Sequence, residues 1–499
     1  VSEIETTVTS YLPALASLLP LAGTACIYLV EGRSWRWRNG LSVLSAAAAC
    51  GLVLAMYGDV AAGRVLVKEF PNLIPPLGLS FRADRLGFLL AATMSVIWLA
   101  TTVYSLSYMK EERHKKRYYP FLILTLGGSL GVVLAGDLFS LLLFFELMSL
   151  SAYVLIVHEQ SREAMAAGYK YLIMTIAGSL ALSFAIVATY KIAGTLVLST
   201  PGIIGWPSPL ALAAFLAFIA GFGIKAGIFP LHVWLPDAHP VAPSPASALL
   251  SGLMVKTGAF GLIRVFYNIY GIDLLRHTRW AEILVGLAVL SIVLGSSVAI
   301  LQDDIKRRLA YSTIGQMGYV LLGVGLMTER ALFGAVFHMI GHAFMKSALF
   351  LAAGAMIHRT HRRSIIHLEG IGYQMPWTLG AFTLAALGMV GLPPLIGFIS
   401  KWELSLGALD VGRPYLVLVL LASSLMSGVY YFPIIIAGYL GREAQAASGH
   451  AGSRETHPAM LVPTVLLAAA TLVFALLPNS WPYILAEGSA RMLWQLGGR

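Results

Sequence analysis

The sequence predicts an all-α polytopic membrane protein of about fourteen transmembrane helices, two of them broken. Three observations carry this prediction. Hydrophobic residues make up 58% of the 499-residue chain and charged residues 12%, a balance that makes lipid, not water, the solvent of the fold. Apolar runs of ~20 residues, long enough for a helix to cross the hydrocarbon core, recur from one end to the other. Two of these runs, GFGIKAGIFPLHVWLP (221 to 236) and GLPPLIGFISKWEL (391 to 404), are interrupted by helix-breaking residues.

Taken in order, hydropathy places helices near 9 to 30, 41 to 57, 84 to 108, 118 to 135, 138 to 157, 168 to 191, 209 to 229, 245 to 268, 280 to 301, 309 to 327, 331 to 357, 376 to 409, 414 to 440 and 459 to 478, with ends good to about 2 to 4 residues. The opening VSEIETTVTS carries two acids and no base, unlike the n-region of a cleavable signal, so the first run is expected to stay as helix 1. The links can be numbered by the helix they follow. Odd ones hold Arg33, Arg36 and Arg38; Lys110, Arg113, Lys115, Lys116 and Arg117; Lys306, Arg307 and Arg308; and Arg359, Arg362 and Arg363. Even links are poorer in cations, and the one at Gly136 and Asp137 has none. The odd links are therefore expected in the cytoplasm and both termini on the outer side. The second link, with Arg64, Lys68 and Arg82, runs against that pattern. Topological clustering also accounts for the formal charge of +10 without a nucleic-acid partner. Cys26 and Cys50 both sit inside apolar runs, which indicates neither a disulfide framework nor an iron–sulfur cluster. Any redox chemistry would belong to a partner.

The two broken helices are the seventh and the twelfth. Pro230 removes one backbone donor and Pro393 and Pro394 two more, freeing carbonyls one turn back at membrane depth, which is costly unless the break lines a polar cavity. Five helices separate the breaks. Five is odd, so corresponding elements cross the membrane in opposite directions, the mark of an inverted repeat. Consistently, Lys225 precedes Pro230 whereas Lys401 follows Pro394. A simple proline kink is the plainer reading of either break alone. GFGIKAG lies inside an apolar run, has the wrong spacing for a nucleotide loop and follows no strand, so it reads as a packing motif.

Ionisable groups near the middle of a membrane helix cost ~2.5 to 3.5 kcal/mol each, so they demand compensation or function. Glu146 lies about eight residues into the run that starts at Leu138, too deep to snorkel easily. Lys225 closes an apolar stretch before the first break, and Lys256 is midway along SALLSGLMVKTGAFGLIRVF. An amine in low dielectric loses its proton more readily, and a nearby carboxylate reverses that. A Glu146–Lys225 pair could thus switch the lysine's charge as it closes and opens; the alternative is a static ion pair tying two helices. In VFHMIGHAFMKSALF, His338, His342 and Lys346 recur at i, i+4 and i+8 on one helical face, a stripe resembling a proton wire. Core histidines bonded to neighbouring helices would show the same spacing. HMIGH has the two-His spacing of a zinc helix, but the glutamate of HExxH is absent and the next group is lysine, so no metal site is expected. Asp303, Asp304, Lys306, Arg307 and Arg308 read as a cytoplasmic turn. His232, Asp237 and His239 flank the first break, either wetting its mouth or serving as solvated link residues.

At these residues the sequence resembles the antiporter-like membrane family shared by respiratory complex I, energy-converting hydrogenases including formate hydrogenlyase, and Mrp-type cation/proton antiporters. The resemblance runs from about Phe88 to Lys401, most specifically in GIKAGIFPLHVWLPDAHPVAPSPASALLSGLMVKTGAFGLIR, LQDDIKRRLAYSTIGQMGYV and HMIGHAFMKSALFLAAG. It implies that Glu146, Lys225, Lys256 and Lys401 are the family's charged groups of helices 5, 7, 8 and 12, with His338, His342 and Lys346 in the central helix 11 stretch. A lysine at 401 argues against the complex I branch that has glutamate there. The implied fold is fourteen helices: helices 1 to 3 over residues 1–117, inverted five-helix repeats over 118–268 and 280–440, and helix 14 with a tail over 459–499. The short end resembles the D-type component of Mrp antiporters and the compact hydrogenase members, whereas PLHVWLPDAHP is closer to the hydrogenase and complex I side. The implied function is proton translocation within a larger complex in the inner (plasma) membrane of a prokaryotic cell. Implied partners are other membrane subunits, homologous antiporter-like ones among them, together with protons and lipid. Any sodium path is expected in or beside a neighbouring subunit, because the expected mid-membrane row from Glu146 through Lys225 and Lys256 to His342, Lys346 and Lys401 holds one carboxylate among nitrogen groups. No cofactor is expected. A non-conducting scaffold subunit is the alternative; a quinone-reducing enzyme lacks the motifs it would need.

Overall fold

The computed structural model describes residues 6–31, 34–71, 73, 78–112, 114–199, 202–440, 455–477 and 480–497. Arg33 and Arg113, two of the link cations, fall outside them. In chain order the main helices are α1 (Leu12–Val30), α2 (Trp35–Ala61), α3 (Arg85–Tyr108), α4 (Lys115–Val133), α5 (Leu138–Ile156), α6 (Arg162–Ala193), α7 (Pro209–Ala226), α8 (Ser244–Tyr270), α9 (Ala281–Ile300), α10 (Ile305–Leu326), α11 (Glu329–Thr360), α12a (Pro376–Val390), α12b (Ile396–Asp410), α13 (Pro414–Leu440), α14 (Pro458–Leu476) and α15 (Trp481–Gly497). Among the described residues 12 helices are long and apolar enough to cross a membrane, namely α1 to α14 without α4 and the α12 halves. α4 opens on three cations, and the two halves of α12, 15 residues each, are each shorter than the ~20 residues a crossing needs.

Helix starts in lipid must dispose of four unpaired N–H groups. Six helices do so in the same way: Asp84, Asp137, Ser161, Ser208, Asp304 and Thr328 each accept, through the side chain, the N–H three residues on. The all-α expectation misses a small sheet. β1 (Thr6–Thr9) pairs in parallel with β2 (Arg64–Phe70), which pairs antiparallel with β3 (Leu79–Ala83). The second link is thereby ordered, and its Arg82 is buried rather than solvated.

The links sort by parity. Gly136 N–H donates to Ser80 O at 2.9 Å, Leu138 N–H to Leu196 O at 3.0 Å and Ile204 N–H to Ile269 O at 2.9 Å, joining links 2, 4, 6 and 8. Ile305 N–H donates to Arg363 O at 3.0 Å, while Arg307 pairs with Asp237 at 2.6 Å and Arg363 with Glu159 at 3.8 Å, joining links 5, 7, 9 and 11. Even links meet at one end of the bundle and odd links at the other.

The run at 303–308 is not simply a solvated turn. Lys306 is buried and its Nζ donates to Ala242 O at 2.5 Å, one of the carbonyls left free where the short helix Leu235–Val241 ends. Arg308 is also buried and donates to Tyr430 O at 2.9 Å and Gln302 O at 2.8 Å. Deep in the N-terminal half, Arg264 of α8 meets Asp84, the cap of α3, at 2.8 Å with both side chains 1% exposed, and Arg82 Nε lies 3.4 Å from the other carboxylate oxygen.

Candidate functional site

Both breaks end as helices that leave carbonyls to be satisfied by side chains. α7 stops at Ala226, with Gly227 in the left-handed region (φ 72°), and the indole of Trp234 donates to Ile224 O at 2.8 Å. α12a stops at Val390, and Lys401, from the second turn of α12b, donates to Met389 O at 2.8 Å and Val390 O at 3.0 Å. An ammonium on a helix C-terminus matches the negative end of its dipole. The polar lining expected of the breaks is thus supplied by the protein's own lysine and indole.

At the first break, Lys225 is buried and donates to Ser149 Oγ of α5 at 3.0 Å and to Tyr171 OH of α6 at 2.7 Å, with the Tyr171 ring 5.0 Å away. Glu146 makes no ion pair with it among the described residues. Its carboxylate accepts instead from Ser179 Oγ of α6. Nor is Glu146 fully buried: it shares an outward face of α5 with the exposed Leu143 and Leu150, so its side chain is half-buried in the single chain. One helical turn separates it from Ser149, so carboxylate and amine are neighbours held apart by hydroxyls.

The centre is more tightly connected. Lys256 Nζ lies 2.6 Å from His342 Nδ1 and donates to Ser251 O at 2.7 Å, within a π-helical stretch of α8 (Leu250–Met254), a local widening frequent at functional sites. His342 and His338 rings are 5.9 Å apart, and His338 Nδ1 lies 2.8 Å from Ser400 Oγ of α12b. His338 also lies 5.6 Å from the Tyr319 ring, over which Lys401 Nζ sits at 5.0 Å. The path to Lys401 thus runs through His338 and Tyr319. Lys346 stands to one side, bonded to Ser312 Oγ, to Leu309 O at 2.8 Å and to Tyr431 OH at 3.3 Å. The two histidines face different partners, a lysine and a serine, which is not the convergence a metal needs. The Nε2 atoms of both, and Oε1 of Gln316, are buried without a partner, places where water would complete the bonding.

Between Lys225 and Lys256 no described side chain forms a bridge. There α7 and α8 touch through Gly258, whose Cβ would lie 2.5 Å from Phe222 O. His239, one of the residues flanking the first break, is fully buried against Phe350 with both ring nitrogens unpartnered, which excludes the solvated-link reading for it. Asp237 is used in ion pairs to Lys170 at 2.5 Å and Arg307 at 2.6 Å. Sequence reasoning missed the hydroxyl residues that hold the charges. One signal was available: Ser312, Gln316 and Tyr319 recur at i, i+4 and i+7 on α10, a polar stripe facing that of α11.

Residues 135–427 match the family described as NADH:quinone oxidoreductase/Mrp antiporter, TM. NADH-quinone oxidoreductase subunit N of Desulforudis audaxviator is 35% identical over 94% of this chain and 96% of its own length. The D-type component of the Na(+)/H(+) antiporter of Alkalihalophilus pseudofirmus is 31% identical over 86% and 87%. A chain of the membrane-bound sulfane sulfur reductase, an archaeal respiratory membrane complex, superposes with a TM-score of 0.88 at 25% identity, covering 98% of each chain.

Proposed function

Because the chain belongs to the NADH:quinone oxidoreductase/Mrp antiporter transmembrane family, as an antiporter-like subunit, we propose that it carries protons across the membrane within a multisubunit complex. The observation that carries this is the 2.6 Å contact of Lys256 with His342, two buried nitrogen bases with no carboxylate bonded to them among the described residues. Two cationic charges cannot readily share such a site, so at most one excess proton is held by the pair and it must pass on before the next arrives. Protons travel from Glu146 and Lys225 to Lys256, then through His342, His338 and Tyr319 to Lys401, with Lys346 as a side store. Water fills the stretch between Lys225 and Lys256, since proton transfer needs groups close enough to be bridged. The residues at 118–268 and 280–440 form the two inverted repeats, each with its own break and lysine.

The odd-link end faces the cytoplasm and both termini the outer side, a reading supported by the cation excess of links 1, 3, 9 and 11. Sodium takes its path in or beside a neighbouring subunit: among the described residues, the carbonyls of Met389 and Val390 at the second break, where a cation would be coordinated, already hold the Lys401 ammonium. Partner subunits cover the outward faces of α5, α6 and α13. Their nature distinguishes a redox-driven pump from a secondary antiporter, and co-purification with catalytic oxidoreductase subunits, or with small membrane proteins alone, reads this directly. The deciding test is Lys256→Met in the reconstituted complex: proton transport is expected to vanish with assembly intact. Unchanged transport would leave the scaffold reading.

A further inference from the structure

A large cavity lies away from the buried lysines, at the odd-link end. It is a crevice of about 1210 Å³ where links 1, 3, 11 and 13 converge, above the ~300 to 1,000 Å³ of ordinary small-ligand clefts. Its walls carry Arg36 and Arg38 from α2, Lys110 and Lys115 from the third link and the start of α4, and Arg359 from the end of α11. The acids nearby are occupied. Glu455 caps α12a by accepting from Trp377 N–H at 2.6 Å and Thr378 N–H at 3.1 Å, Glu31 takes Arg38 at 3.1 Å, and Glu111 faces His358 at 3.6 Å. Arg36, Lys110 and Arg359 have no carboxylate within ion-pair distance among the described residues. Cations with no described carboxylate partner, gathered at the mouth of one crevice, favour an anion.

The floor selects what kind. Leu106 and Ser107 of α3 line the crevice and continue at helical spacing into the half-buried Val103, Ala100 and Val96. α2 and α14 each pack on α3 and scarcely touch each other, so the half-buried apolar face of α3 between them continues from the crevice. Trp35, 64% exposed, stands at the rim, where amphipathic rings mark the headgroup level. We propose that this crevice and apolar face bind an anionic phospholipid, with headgroup phosphate at Arg36, Lys110 and Arg359 and an acyl chain along α3. Two phosphates suit three cations spread over three elements better than one.

Native mass spectrometry of the delipidated complex titrated with cardiolipin tests this. The wild type is expected to retain a cardiolipin adduct, and the triple variant Arg36→Gln/Lys110→Gln/Arg359→Gln to weaken it about a hundredfold, roughly fivefold per cation near a membrane surface. The control Arg162→Gln/Lys191→Gln, which removes two exposed cations of α6, is expected to leave it unchanged. Phosphatidylcholine is expected to bind both proteins equally weakly. Equal cardiolipin retention by the triple variant would overturn the proposal. So would displacement of cardiolipin by millimolar inorganic phosphate, which would mean a free-anion site, or crosslinks from Lys110 to an acidic subunit, which would mean a protein occupant.

Discussion

Lys225 has two hydroxyl partners and a carboxylate one turn away, and each makes a different demand on a substitution. Glu146→Gln keeps the Ser179 bond but removes the charge that favours a protonated Lys225, so coupled transport is expected to fall by at least ~10-fold in flux assays while assembly persists. Lys225→Met is expected to do the same. Tyr171→Phe should act more mildly: it removes one of two acceptors around a buried amine, costing ~1 to 3 kcal/mol in the charged form and slowing proton uptake. If Tyr171→Phe proved as severe as Lys225→Met, the tyrosine would be passing protons itself. All the charged members of this site were legible from the sequence, because a lysine or glutamate in an apolar run is conspicuous. The serines and tyrosines were not, since a hydroxyl costs little in a membrane helix and is usually spent on its own backbone, as Ser129 and Thr189 spend theirs.

At the level of elements, the breaks were legible from Pro230, Pro393 and Pro394, and hydropathy located every membrane-length helix to within a few residues, apart from α2 and α6, whose starts at Trp35 and Arg162 precede the expected 41 and 168. The sheet was not, because β2 (RVLVKEF) is short and mixes apolar with charged residues, so a search for ~20-residue runs passes over it. Nor did the sequence reveal how closely α7 meets α8. Gly258→Ala puts a methyl 2.5 Å from Phe222 O and 2.6 Å from Ala226 N, both backbone, so one helix must move. A loss of ~1 to 3 kcal/mol is expected, read as a lower melting temperature of the purified complex, together with impaired transport because Ala226 adjoins Lys225. A fully active, fully stable Gly258→Ala protein would show that this contact does not fix the break.

Over the whole molecule, α6 presents Tyr169, Ile173, Ile176, Leu180 and Val187 outward, and α13 presents Leu418, Leu421 and Leu425. Either lipid or a partner suits such faces, and a charge distinguishes them. Leu180→Glu is expected to release a partner subunit from the purified complex while this chain still inserts; loss of the chain itself from the membrane would indicate a lipid-facing position. The parity of the links gives a second whole-molecule test. A cysteine placed at exposed Arg359 is expected to react with a membrane-impermeant thiol reagent only from the cytoplasmic side, and one at Thr7 only from the outside.

The buried meeting of Asp84 with Arg264 has a consequence for how the protein is made. A ribosome delivers Asp84 180 residues before its guanidinium partner exists, so a carboxylate at the start of α3 must wait through the synthesis of five further helices. Arg82, two residues upstream and already translated, is expected to serve as the counter-ion meanwhile; in the folded chain it lies 3.4 Å from the second carboxylate oxygen. Arg82→Gln should therefore lower the yield of inserted protein in pulse-labelled membranes more than it lowers the melting temperature of the molecules that complete folding, whereas Arg264→Gln should do the reverse.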